Sequence, residues 1–150
     1  MKQMMWMAYA MAAAVLWGVS YAACGRTIER GMSPLVFFFL YTAFGALAAG
    51  LWLVSTGELG TVVREVCALG EDRIWLVVSI ISSAIGALLI YMAIGEKNAT
   101  LASLIEISYP FFVALFAWLF FRDTQINLAT ALGGLMILGG VAVVFAANRG

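Results

Sequence analysis

The stretch Ala99–Phe121, ATLASLIEISYPFFVALFAWLFF, decides how this chain must be read. It is apolar almost throughout, and as a helix its 23 residues extend about 35 Å, beyond the ~30 Å hydrocarbon core of a bilayer. Near its middle stands Glu106, with Pro110 four residues later. Glu106 is the only charged residue inside any of the long apolar runs of the chain. The rest of the sequence reads as a membrane scaffold around that carboxylate.

Composition points the same way. The 150 residues are 65% hydrophobic and 11% charged, with a mean hydropathy of +1.04, whereas a soluble domain carries about 25% charged residues. A soluble fold of this size cannot hide so much apolar surface, and lipid is the solvent that removes the problem. Net charge is zero and no basic block occurs, so nucleic acid is not an expected partner. There is no histidine, the usual catalytic base and the commonest metal ligand, so neither a metal site nor a catalytic triad is expected. The two cysteines, Cys24 and Cys67, form no CxxC pair and read as small apolar filler. Neither GxxxxGK[ST] nor GxGxxG occurs, so no phosphate loop, no ATP coupling and no cofactor is expected.

Five apolar runs have membrane-spanning length, at about residues 4–24, 34–55, 74–95, 99–121 and 126–147. Backbone amides in lipid must be satisfied within their own segment, so each run is predicted to be a helix. The first follows Lys2 in the manner of a signal peptide, but its apolar length and the lack of a polar domain behind it argue against cleavage. Short links at 25–33, 96–98 and 122–125 predict that consecutive helices are antiparallel neighbours. The longer link at 56–73 carries Leu59, Val62, Val63, Val66 and Leu69 at helical spacing among charged residues. That pattern predicts an amphipathic helix over about 58–70 lying on the membrane surface, the alternative being a solvated loop. Trp6, Trp52, Trp75 and Trp118 stand near run ends, where interface anchors belong.

Five crossings put the termini on opposite sides. Lys2, Arg64, Arg73 and Arg122 then fall on one face, and Arg26, Arg30, Lys97 and Arg149 on the other. With four basic residues against four, the positive-inside rule favours neither orientation. Such a chain can insert both ways up, and two copies in opposite orientations would form an antiparallel homodimer. That dimer would reproduce the inverted repeat that many secondary transporters carry in one chain. The alternative is that other signals fix one orientation.

A charged side chain at mid-helix costs about 2.5–3.5 kcal/mol on insertion scales, so Glu106 is expected to face the protein interior or a watery cavity. Desolvation disfavours the charged form of a carboxyl, and a carboxyl that titrates near neutral pH can exchange its proton for a cationic or polar substrate. The competing reading is a carboxyl that only ties helices together. Ala99, Ala102, Ser103, Glu106, Tyr109, Pro110 and Val113 share one helical face. Ser103 and Tyr109 are candidates to hydrogen-bond the carboxyl or a ligand. Pro110 has no N–H, so the Glu106 carbonyl loses its helical partner. Side chain and freed carbonyl would then converge at one depth, as in the broken helices of transporters. Pro110 is thus a candidate hinge, unless it is an ordinary membrane-helix kink.

Further polar candidates lie in the other runs: Trp17, Ser20 and Tyr21 in the first, Tyr41 in the second, and Ser79, Ser82, Ser83 and Tyr91 in the third. Serines in membrane helices often serve packing instead. In the last run Gly133 and Gly140 stand two turns apart on one face, and Ala129 with Gly133 adds a small-xxx-small pair. This stripe admits close helix approach, as a dimer seam or within the chain.

Three stretches resemble the EamA family of the drug/metabolite transporter superfamily. Trp17-Gly18 with Ser20-Tyr21 resembles the family's Trp-Gly-x-Asn-aromatic opening, and Ser33-Pro34-Leu35 the start of its second helix. The longest match, ALLIYMAIGEKNATLASLIEISYPFFVALFAWLFFRD followed by GGLMILGGVAVV, resembles its paired helices, proline, acidic turn and Gly-rich last helix. Asp123 stands where the family usually has Glu, and Tyr41 where it usually has Arg. The resemblance implies an all-α integral membrane protein of five transmembrane helices, half of a ten-helix inverted-repeat transporter fold. It further implies a multi-pass protein of a bacterial or archaeal cytoplasmic membrane, not an enzyme, that exports small metabolites or drugs. The small multidrug resistance family fits less well, because its key Glu lies in the first helix and run one here has no acid.

The residues and the resemblance together predict an exporter working as an antiparallel homodimer by alternating access. Glu106 would carry the proton, and Ser103, Tyr109, Trp17, Tyr21, Tyr41, Ser82 and Tyr91 would line the substrate path. The alternatives are a membrane subunit without transport activity and one half of a heterodimeric transporter.

Overall fold

The computed structural model describes residues 2–123 and 127–148. The 124–125 link, the predicted start of the last run at residue 126, and Arg149 lie outside them. Helices and short connections make up the described residues, without a strand. In chain order the helices are α1 (Lys2–Glu29), α2 (Pro34–Thr56), α3 (Thr61–Ala68), α4 (Arg73–Glu96), α5 (Ala99–Glu106), α6 (Tyr109–Phe121) and α7 (Leu128–Ala147). Five helical segments are long and apolar enough to cross a membrane: α1, α2, α4 with the 3₁₀ turn ahead of it, α5 and α6 together, and α7. The protein is therefore an all-α membrane fold.

Local chemistry sets the boundaries. Pro34 opens α2, where its missing N–H is one of the unpaired ones in any case. Gly57 closes it at φ 74°, a conformation that favours glycine. The Glu58 N–H then donates back to the Leu53 carbonyl at 2.9 Å, completing a Schellman turn. Asn98 caps α5 by accepting the Leu101 N–H at 2.8 Å, and Asn127 caps α7 by accepting the Thr130 N–H at 2.8 Å. Loss of such a cap costs about 1 kcal/mol. Asn98→Ala is therefore expected to lower the thermal unfolding midpoint in detergent, whereas Asn98→Ser retains most of it.

Backbone packing centres on α4, which meets α1, α2 and α5, while α5 also meets α1 and α7. By closest backbone approach α1 packs on α4 and α5, and it meets α2 through side chains. Side-chain size gives the reason. A Cβ built on Gly25 of α1 would lie 3.1 Å from the Ala99 Cβ of α5, and one on Gly95 of α4 would lie 3.2 Å from Pro34 Cγ. Only small residues permit approaches this close. α1 and α2 meet instead through large rings, with the Trp17 and Tyr41 centroids 6.2 Å apart.

The small core lies at one end of the bundle. Cys24, Tyr91, Ile94 and Ala102 are buried, with Tyr21, Ile28, Phe37, Phe38 and Ala99 packed around them. This is the end where α1 and α4 finish and α2 and α5 begin. Elsewhere the apolar surface faces outward, including Leu132, Leu135 and Met136 of α7. The accessible surface totals 11681 Å² for 16.1 kDa, against about 7400 Å² for a globular monomer of that mass.

Candidate functional site

The fourth membrane segment does not run straight through. α5 ends at Glu106 and α6 begins at Tyr109, with Ile107 and Ser108 forming a turn between them. Pro110 offers no N–H to the Glu106 carbonyl, and no other backbone N–H outside the helical ladders reaches that carbonyl among the described residues. The chain tightens at the break: Ser108 donates to the Ile105 carbonyl and Phe111 to the Ser108 carbonyl, both at 3.1 Å and both three residues back. Both are 3₁₀-type contacts. The interruption thus lies just ahead of Pro110 and directly behind the charged residue.

Glu106 is half-buried there. The Tyr21 hydroxyl, from α1, donates to Glu106 Oε1 at 3.0 Å. This bond joins residues 85 positions apart and ties the first membrane segment to the broken one. Behind Tyr21 runs a continuous line of rings. Trp17, one turn earlier on α1, has its centroid 5.4 Å from Tyr21. Tyr41 of α2 lies 6.2 Å from Trp17 and 5.9 Å from Tyr91 of α4. Phe37 meets Tyr91 edge-on at 4.9 Å. Such tilted and T-shaped pairs match negative ring faces to positive edges. Trp17 and Tyr41 keep 42% and 40% of their surfaces exposed, while Tyr91 is fully enclosed. The Tyr91 hydroxyl is also buried without a hydrogen-bond partner.

Not every candidate joins this cluster. Ser103 sits on α5 but donates to the Thr100 carbonyl at 3.0 Å. Tyr109 lies beyond the break and is 60% exposed. Ser82 is exposed on α4. Gly133 and Gly140 have nothing within 4 Å of a built Cβ, so their stripe faces outward from this chain. Phe37 and Cys24 line the cluster although the sequence does not single them out as site residues. Phe37 stands in an unbroken Phe-Phe-Phe run that hides which ring points inward. Among the described residues no group of His, Cys, Asp and Glu side chains is placed to hold a metal ion.

The cluster joins a carboxylate at a helix break to a phenol donor and a series of electron-rich rings on three other segments. It can hold a proton or a positively charged group at Glu106, and separation of α1 from α5 would break the Tyr21 hydrogen bond to it.

No curated protein and no solved structure matches the chain. The model of the EamA-like transporter family matches residues 4–146, nearly the whole length. The chain therefore belongs to the EamA-like transporter family, as a multi-pass membrane protein that transports small molecules.

Proposed function

We propose that the protein is a secondary-active exporter of small metabolites or drugs, coupled to protons through Glu106 and working as an antiparallel homodimer. The hydrogen bond from Tyr21 to Glu106 at the broken segment carries the reading. An ionised carboxylate accepts this bond strongly and a protonated one weakly. Proton uptake or substrate capture at Glu106 therefore changes the tie between α1 and α5, the coupling that alternating access requires. Pro110 and the turn at Ile107–Ser108 provide the hinge.

Two features support the dimer. The even distribution of basic residues imposes no orientation, and the outward glycine stripe of α7 offers a close-packing face to another helix. The rival reading, a structural carboxyl in an assembly subunit, draws on the same Tyr21 bond as a link between helices.

Flux separates the two readings. In proteoliposomes, an imposed pH gradient is expected to drive movement of at least one solute from a metabolite and drug panel, and that movement is expected to stop in Glu106→Gln. If no solute moves with Glu106 dependence, the structural reading replaces this one. Topology has its own test. Reporters fused after Gly150 are expected to show activity on both sides of the membrane, and a signal confined to one side excludes the antiparallel homodimer.

A further inference from the structure

The surroundings of Glu106 narrow the class of substrate. Every Lys and Arg of the chain lies outside the five apolar runs. Arg26, the one nearest Tyr21 in sequence, is 65% exposed and faces Glu29 at 3.7 Å. The groups around the carboxyl are instead Tyr21 and Tyr91, with Tyr41 and Cys24 further along the cluster. α7, the remaining neighbour of α5, carries no titratable side chain. Lys97, at the end of α4, shares a pocket with Leu101, Ala102 and Ile105, but among the described residues no basic side chain forms an ion pair with Glu106. Tyr21 meets the carboxyl through its hydroxyl, and Trp17, Tyr41 and Tyr91 follow ring to ring; aromatic faces attract cations and repel anions. Trp17 and Tyr41, the exposed members, form the open side of the cluster. The Tyr91 hydroxyl is buried among these rings with no hydrogen-bond partner among the described residues.

We propose that the transported substrate is an organic cation that carries no anionic group, held between the Glu106 carboxylate and the rings of Trp17, Tyr21 and Tyr41. This inference rests on the transport reading and gives its site a substrate class. A free carboxylate on the ligand would meet Glu106 as a like charge, with no basic side chain among the described residues paired to that carboxyl. Zwitterionic amino acids and acidic metabolites are therefore excluded. The cation and the proton compete for one carboxyl, so binding of a permanently charged ligand releases the proton held there.

A matched pair of probes tests this. N,N,N-trimethylphenethylammonium and N,N,N-trimethylphenylalanine share the ring and the quaternary nitrogen, and the second adds a carboxylate. With the purified full-length protein in weakly buffered detergent, the first is expected to release protons and to bind at least about tenfold more tightly than the second. Glu106→Gln is expected to abolish the release while eluting like the wild type in size exclusion. Trp17→Ala and Tyr41→Ala are each expected to weaken binding of the cation by about tenfold, with Tyr41→Phe restoring it. Equal or tighter binding of the carboxylated probe overturns the cation assignment. So does proton release, dependent on Glu106, that is driven only by ligands other than the quaternary cation; in both cases the transport reading stands. Absence of proton release with every ligand, together with absence of Glu106-dependent flux in proteoliposomes, overturns both.

Discussion

Glu106→Gln is expected to reduce proton-driven flux to the level of empty liposomes while leaving folding and assembly intact. The substitution keeps length and shape. Its amide oxygen still accepts the Tyr21 hydroxyl, which approaches Oε1 at 3.0 Å in the native protein, so the link between α1 and α5 survives as a neutral hydrogen bond. A charged hydrogen bond contributes about 1.5–3 kcal/mol and a neutral one about 0.5–1.5. Removing the ionisable group also removes its cost at mid-membrane, about 2.5–3.5 kcal/mol on insertion scales. These terms oppose each other, so the thermal midpoint in detergent is expected to remain near the wild-type value or to rise. No second acid lies within the apolar runs to take over the proposed role. Residual coupling in a well-folded Glu106→Gln protein would remove the residue from this role. Tyr21→Phe supplies the graded comparison. It keeps the ring against Trp17 and deletes only the donor. Flux is then expected to persist at a reduced maximal rate, which separates a group that positions the carboxyl from the carboxyl itself.

The sequence exposes Glu106 more readily than its surroundings for a physical reason. A lone charge in an apolar run is costly, so its position is conspicuous without knowledge of the fold. The same holds for Pro110, since the loss of an N–H is written in the chain, although the break itself falls at Ile107 and Ser108, just before it. Partnership depends instead on which helices meet. Ser103 and Glu106 share a helical face, yet Ser103 turns to its own backbone, because a serine in a membrane helix always has a carbonyl within reach one turn back. Tyr109 shares that face only if the helix continues, and the break moves it out of alignment. In the sequence Tyr21 is one aromatic residue among many, and only the packing of α1 on α5 brings it to the carboxyl. That packing depends on Gly25, which stands seven residues after Gly18, the same two-turn spacing as Gly133 and Gly140 of α7; the spacing alone does not show that Gly25 meets a partner inside the chain while the glycines of α7 meet none among the described residues.

Gly25→Val is accordingly expected to be the most damaging substitution outside the carboxylate itself. A Cβ at this position would come within 3.1 Å of the Ala99 Cβ and 3.9 Å of Ile94 Cγ2. Ala99 is a fixed stub at the first turn of α5, so it cannot swing aside, and a branched side chain adds two methyl groups to the collision. Overpacking of this kind costs about 1–3 kcal/mol. The displacement also acts where the Tyr21–Glu106 bond begins, since Gly25 lies about one turn beyond Tyr21 on α1. The variant should therefore show a lower thermal midpoint and a loss of coupled flux together, and Ala99→Gly introduced beside it should recover part of both by reopening the space. Gly133→Val is the counterpart. Nothing among the described residues outside its own helical turn lies within 4 Å of a Cβ there, so the fold of the single chain has no reason to change. If α7 forms the seam between copies, the same added methyl groups obstruct helix approach, and the protein should shift from dimer to monomer in light scattering at unchanged helical content. An unaltered mass with full flux would place the partner surface elsewhere, and the Gly133–Gly140 face of α7 would then be turned to lipid.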